Sequence, residues 1–362
     1  MNFKICNKYF FDKLNYDERT LFDKLVGLFL NYIFNFFILI KYTFKKTKEY
    51  PTVGVKLHLL HSKDQFDNLE NQEKNFFSKK FSLPKIDNSN FLNKLNNKTN
   101  YNYNKKIVSF HFRDGLYRED RFRRPYRNSS IKFSIKAINY LLEKNYFVIR
   151  TGNIANERFP IKHDNFLDYP FSDIISDKSD LFIIKNSSFF IGTQSGLTEV
   201  AWLFDIPALQ LNMNKIFEGF PKKKTDRGIF RDFYSLEFNK HLSLIDFINL
   251  EPAYHYSLMH NTNYDKKIKY IENNELQILD AVKEFENLYS LGLLEEHSPK
   301  QIKLNHLLSI KLKEIYIFNS KNYKNINKKK INYFEEMFKN LRYKIFLNGT
   351  ICNSYLNKNV KI

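Results

Sequence analysis

The 362-residue chain has only two cysteines, Cys6 and Cys352, one near each end. Such a count excludes a disulfide framework and any cysteine-built zinc site, and it suits a reducing, cytoplasmic setting. No D-x-D triplet occurs, so the paired hard oxygen ligands that usually hold a divalent ion on a diphosphate are missing. The histidines show no H-E-x-x-H spacing, and no metal or cofactor is expected. There is neither a Walker A sequence nor a G-x-G-x-x-G fingerprint, which removes the usual support for ATP or NAD. The longest apolar run, residues 25–40, would span about 24 Å as a helix, short of the roughly 30 Å hydrocarbon core. Asn31 and Asn35 lie within it, and acids precede it without a cleavage pattern after it. A helix packed on the protein or lying in a membrane interface fits it better than a span or a signal peptide.

Arginine is also scarce, and its placement is informative. Of 58 basic residues only twelve are arginine, yet six of them fall in one stretch, His111 to Arg127, HFRDGLYREDRFRRPYR. Lysine serves nearly everywhere else, so these arginines mark places where lysine would not. A guanidinium is planar and always charged, and its fork of donors matches two oxygens of a phosphate at once. The stretch therefore reads as an anion site, most simply for phosphate.

The net charge of +19 is uneven: from Lys311 to Ile362 there are 12 Lys or Arg against three acids. This segment reads as a solvated basic tail able to meet an anionic surface. With 43% hydrophobic residues the chain can still bury a full core.

From Lys105 to Asn212 short apolar runs alternate with helical patterns. Strands are expected at 105–112, 146–150, 188–193 and 207–212, and helices at about 131–143, after Asp177, and at 195–204. This alternation predicts an α/β fold with a parallel, Rossmann-like sheet. Four of the ten glycines, Gly115, Gly152, Gly192 and Gly196, fall just after the expected strand ends, the edge where ligands bind in such sheets. Further along, residues 222–231 read as a basic loop, about 265–291 as one amphipathic helix, and Ser298-Pro299 as a helix start.

Two strand ends carry the chemistry. After the third strand the chain runs GTQSG into a helix, whose unpaired NH groups and dipole suit a phosphate. Gly192, Thr193, Gln194, Ser195 and Gly196 form that turn. After the first strand Arg113 points to the same crevice. Asp114 and His111 are the candidate catalytic bases. Asp168 and Tyr169 are candidates to meet a nucleoside, and so is Glu199. Arg118, Arg124 and Arg127 are candidates for an acidic acceptor, with loop solvation as the simpler role.

The segments VSFHFRDG with YRNSS, and FFIGTQSGLTEVAWLFDIP, resemble a group of bacterial glycosyltransferases of surface-polysaccharide clusters. They are more distantly similar to the fucosyltransferase group with the GT-B arrangement of two Rossmann-like domains. The resemblance covers about 110 residues, 105–212. It implies that Arg113 of a His-x-Arg motif, with His111 beside it, meets the diphosphate of a nucleotide sugar, together with Gly192 to Ser195. Asp114 stands where that group has a second arginine, so GDP-fucose does not carry over as donor. The implied plan is a reduced N-terminal region (1–104), a donor domain (105–250), C-terminal helices (251–312) and a basic tail (313–362). The implied activity is metal-independent transfer of a hexosyl or deoxyhexosyl unit to a polysaccharide or lipid-linked acceptor, in the cytoplasm or peripheral on the inner membrane face. The alternatives are a nucleic-acid-binding protein that stacks bases on the aromatic and arginine residues of 111–127, and an inactive scaffold.

Overall fold

The computed structural model describes residues 89–99, 101–102, 104–116, 127–176, 179–214, 220–247, 268–308, 310 and 348–359. All belong to one unit, Asp87–Ile362. The apolar run at 25–40, residues 51–60, whose sequence PTVGVKLHLL reads as a strand, and Arg118 and Arg124 lie outside the described residues.

Seven strands form one parallel sheet: β1 (Ile107–His111), β2 (Phe147–Arg150), β3 (Phe166–Asp168), β4 (Ser187–Thr193), β5 (Ala208–Met213), β6 (Arg227–Phe230) and β10 (Thr350–Ile351). Their order is β10-β6-β5-β4-β1-β2-β3, with every pairing parallel. The central strands are apolar throughout because both faces are covered, as an all-parallel sheet requires. On one face Val108, Phe110, Phe189, Ile191 and Leu209 pack with α2 (Ile135–Glu143) and α5 (Glu275–Leu291). On the other, Phe190 and Ala208 pack with Ala201 and Trp202 of α4 (Gly196–Leu203) and with Ile184 of α3 (Ser179–Lys185). Phe91 of α1 (Ser89–Lys98) stacks on Phe182 of α3.

The order 3-2-1-4-5-6 is that of doubly wound, Rossmann-like sheets. The β1-to-β2 crossover runs through α2 on one face, and the β4-to-β5 crossover through α4 on the other. Winding therefore reverses between β1 and β4, and their carboxyl ends open a crevice between the two diverging connections.

Three expectations are corrected. Residues 222–231 are not one basic loop, for Arg227–Phe230 is a fully buried strand. It tolerates Arg227 because carbonyls of Lys224, Leu294 and Glu296 take the guanidinium hydrogens at 2.8, 2.5 and 2.9 Å. The helix expected from 265 starts at Glu275, with an Asn274–Gln277 capping box. Before it, β9 (Ile268–Ile271) pairs antiparallel with β7 (Asp232–Ser235), beside β8 (Lys240–Leu242). The basic tail is not solvated throughout: Thr350 and Ile351 add the edge strand β10, and Tyr355 and Leu356 of α7 (Asn353–Asn359) are buried. Glu284 of α5 accepts the first two amides of α7, Asn353 N and Ser354 N, both at 2.7 Å. The helix begun by Pro299, α6, runs from 299 to 308.

Candidate functional site

The carboxyl ends of β1 and β4 are joined by side chain and backbone. His111 lies in register with Gly192, and the Arg113 amide donates to Thr193 Oγ1 at 3.2 Å. A methyl group on Gly192 would come within 2.8 Å of the His111 carbonyl and 2.9 Å of the Phe190 ring, so glycine is what lets the two strands close here. Thr193 is buried, and its hydroxyl serves as this link.

His111 is partly buried, and its Nδ1 lies 3.1 Å from the Thr151 carbonyl. A carbonyl only accepts, so Nδ1 carries the proton and Nε2 keeps its lone pair. Burial lowers the imidazole pKa to about 4, and the charges of Arg150 and Arg113 add to the effect against the Thr151 bond. His111 is therefore a neutral acceptor at physiological pH. Gly152, at φ 117°, lies against its ring, and its amide donates to Asp180 of α3 at 2.9 Å.

α4 starts at Gly196 with Ser195 as its extended N-cap residue. The Ser195 hydroxyl makes no cap bond and is buried without a hydrogen-bond partner. Gly196 is exposed, and a Cβ there would meet nothing within 4 Å. The first amides of α4 thus lie at the same edge as Arg113. Gln194 ties β4 to β5, accepting the Asn214 amide at 3.2 Å.

Past the arginine stretch the chain is fixed at residues 128–130. Ser129 N donates to the Arg113 carbonyl at 2.8 Å. Ser130 N donates to Glu272 at 2.8 Å. Buried Arg231, one residue past β6, holds the Asn128 carbonyl, Ser129 Oγ at 3.1 Å and the Asn212 carbonyl at 3.3 Å. Burial brings the pKa of Arg231 down to about 10. Arg127, next to this segment, lies partly buried.

The other expected residues separate. Asp114 accepts the Asn156 amide at 2.6 Å and faces Arg150 Nη2 at 3.7 Å, so it is engaged by its neighbours. Asp168 accepts Arg150 Nη1 at 3.3 Å and the Phe159 amide at 2.8 Å. Tyr169 is fully buried, its hydroxyl closing a turn on the Ser176 amide and carbonyl. Glu199 is exposed and pairs with Lys222 at 3.0 Å. The structure thus brings together His111, Arg113, Gly192, Thr193, Gln194, Ser195 and Gly196, and turns Asp168 and Tyr169 inward as supports.

Sequence reasoning missed Arg150 and Asp180. Arg150 is the last residue of an apolar strand, and scarcity of arginine was the available signal. Asp180 had none, since an acid in a helix's first turn is ordinary. Among the described residues there is no group of three or more His, Cys, Asp or Glu placed to hold a metal ion. None of the described helices is long and apolar enough to cross a membrane. No protein-family model, curated protein or solved structure matches the chain.

Proposed function

We propose that the chain is a glycosyltransferase of GT-B-like plan, which takes a sugar from a nucleotide-diphosphate donor and passes it to a glycan or lipid-linked glycan acceptor. The observation that carries this reading is the meeting of Arg113, the amino end of α4 and a neutral His111 at the β1/β4 switch point. Ligands of doubly wound sheets bind at that point. A guanidinium and a helix amino terminus meet the charge of a leaving diphosphate without a metal ion.

In this reading the acceptor hydroxyl oxygen attacks the anomeric carbon as the bond to the diphosphate oxygen breaks. The hydroxyl proton passes to His111 Nε2, whose lone pair is held ready by the Nδ1 bond to Thr151. Arg113 and the α4 amides take the charge that develops on the leaving group. Asp114, the other candidate base, is engaged by Arg150 and Asn156, which favours His111 for this role. Transfer on the cytoplasmic side, next to an anionic membrane face, suits the net charge of +19.

Thermal-shift titration with UDP, GDP, CDP and ADP, with and without EDTA, tests the proposal. Stabilisation by one nucleotide that survives EDTA and is lost in Arg113→Ala is the expected result. No shift with any of the four, alongside salt-sensitive RNA binding that survives Arg113→Ala, would overturn it in favour of nucleic-acid binding.

A further inference from the structure

We propose that Arg150 is the positioning residue of this crevice, a single guanidinium that ties together the segments following β1 and β2 and the end of β3, and so sets where Arg113 and His111 stand. This rests on reading the crevice as the ligand site.

The geometry is specific. Arg150 is the last residue of β2, only 1% exposed. Its Nη1 donates to the Glu157 carbonyl at 2.7 Å, in the loop after β2, and to Asp168 Oδ1 at 3.3 Å, at the end of β3. Its Nη2 faces Asp114 Oδ2 at 3.7 Å, in the segment after β1. Its Cζ lies over the rings of Phe159 and Phe171, 5.0 and 5.9 Å from their centres. Each carboxylate passes the restraint on. Asp114 takes the Asn156 amide at 2.6 Å and the Leu116 amide at 3.2 Å, and its carbonyl takes Asn156 Nδ2 at 2.8 Å. Asp168 takes the Phe159 amide at 2.8 Å.

Lysine could not do this, because a single ammonium lacks the planar fork that reaches a carbonyl and two carboxylates on separate segments at once. The bridge joins the carboxyl ends of three neighbouring strands, and it ends beside Arg113 and His111. Asp114 directly follows Arg113, and Thr151, which takes the His111 Nδ1 proton, directly follows Arg150. The charged groups near the His111 ring are Arg113 and Asp114 on its own segment and Arg150 from β2. Asp180 of α3 reaches it only through the Gly152 amide.

Two variants separate charge from shape. Arg150→Lys keeps the charge and loses the bridge. Hydrogen exchange at the Asn156 and Phe159 amides is expected to speed about tenfold or more, while the β2 amides stay protected. Arg150→Gln removes the charge, and NMR titration should show the His111 pKa rising slightly from about 4, since burial causes most of the lowering, with Arg150→Lys staying near wild type. Affinity for the stabilising nucleoside diphosphate should fall about tenfold in Arg150→Lys. Unchanged exchange at Asn156 and Phe159, an unmoved His111 in Arg150→Gln, or full affinity in Arg150→Lys would each overturn the proposal. If Arg150→Gln does not fold, Asp114→Asn replaces it: exchange should then speed at Asn156 and not at Phe159, and equal speeding of both would refute the linkage described. If wild type binds no nucleoside diphosphate, the glycosyltransferase reading fails, while exchange and titration still decide the role of Arg150.

Discussion

His111 makes acid a destabilising condition, by an amount that can be worked out. Its pKa is lowered to about 4 in the folded chain, whereas an unfolded imidazole titrates near 6.5. Between these values the unfolded chain binds a proton that the folded chain refuses, and stability falls wherever the unfolded state binds more protons as pH drops. The loss begins as pH falls through about 6.5 and is complete below about 4. At about 1.4 kcal/mol per unit it amounts to about 1.4 kcal/mol at pH 5.5, about 2.6 at pH 4.5, and about 3.4 in full. The assay is urea unfolding of wild type and His111→Gln across this range. Glutamine keeps a donor for the Thr151 carbonyl but cannot take a proton. Wild type minus variant isolates the imidazole from the carboxylates, which titrate in both proteins. The difference should shift by about 2.6 kcal/mol against wild type between neutral pH and about pH 4.5. A flat difference over that interval would refute the buried, neutral imidazole and remove His111 as the ready acceptor.

Two further substitutions test the frame around the site. Gly192→Ala should cost about 1–3 kcal/mol, because the added methyl meets the His111 carbonyl at 2.8 Å and the Phe190 ring at 2.9 Å. Gly196→Ala, with open space and helical backbone, should be neutral or slightly stabilising. Thermal melts of the pair check this, and equal effects would contradict the close β1/β4 approach. Arg227→Met should lose about 3 kcal/mol in urea unfolding, because it leaves the carbonyls of Lys224, Leu294 and Glu296 short of donors. A loss under about 0.5 kcal/mol would show that the buried guanidinium is dispensable.

What the sequence reveals of this fold divides along physical lines. β1, β2, β4 and β5 are legible because strands buried on both faces are apolar runs bounded by turns, and their helices follow at the expected spacing. β3 and β10 are two or three residues long and exist only through their neighbours, so no local pattern betrays them. β6 hides in KKKTDRGIFR, where two arginines and three lysines read as solvated loop; only carbonyls distant in sequence make burial of Arg227 acceptable. Ile268 and Ile271 suit a helix face as well as a strand. Pairing with Asp232–Ser235, more than thirty residues earlier, decides the matter. At the site, Arg113 and the 192–196 turn are legible as anion chemistry. Their meeting depends on strand order, which local sequence does not contain.

The arginines show how one physical argument yields two kinds of residue. Scarcity in a lysine-rich chain marks positions where a planar fork is needed, but it does not say whether the acceptor is a ligand or the chain itself. Arg150, Arg227 and Arg231 stand outside the clustered stretch, and they are the largest fully buried side chains described. Each turns its guanidinium to acceptors within the chain: two carboxylates and a carbonyl, a set of turn carbonyls, or the return of the arginine stretch. Arg113 differs in position. Its backbone is held on both sides, by Thr193 Oγ1 and by the Ser129 amide, and it stands only partly buried at the switch point. The internal arginines fix the segments that border this position. A lysine scan would sort the two kinds. Replacement at Arg150, Arg227 or Arg231 should lower the melting temperature, whereas Arg113→Lys should leave it nearly unchanged and weaken nucleotide binding alone. A drop at Arg113 as large as at the buried three would assign it to the frame as well.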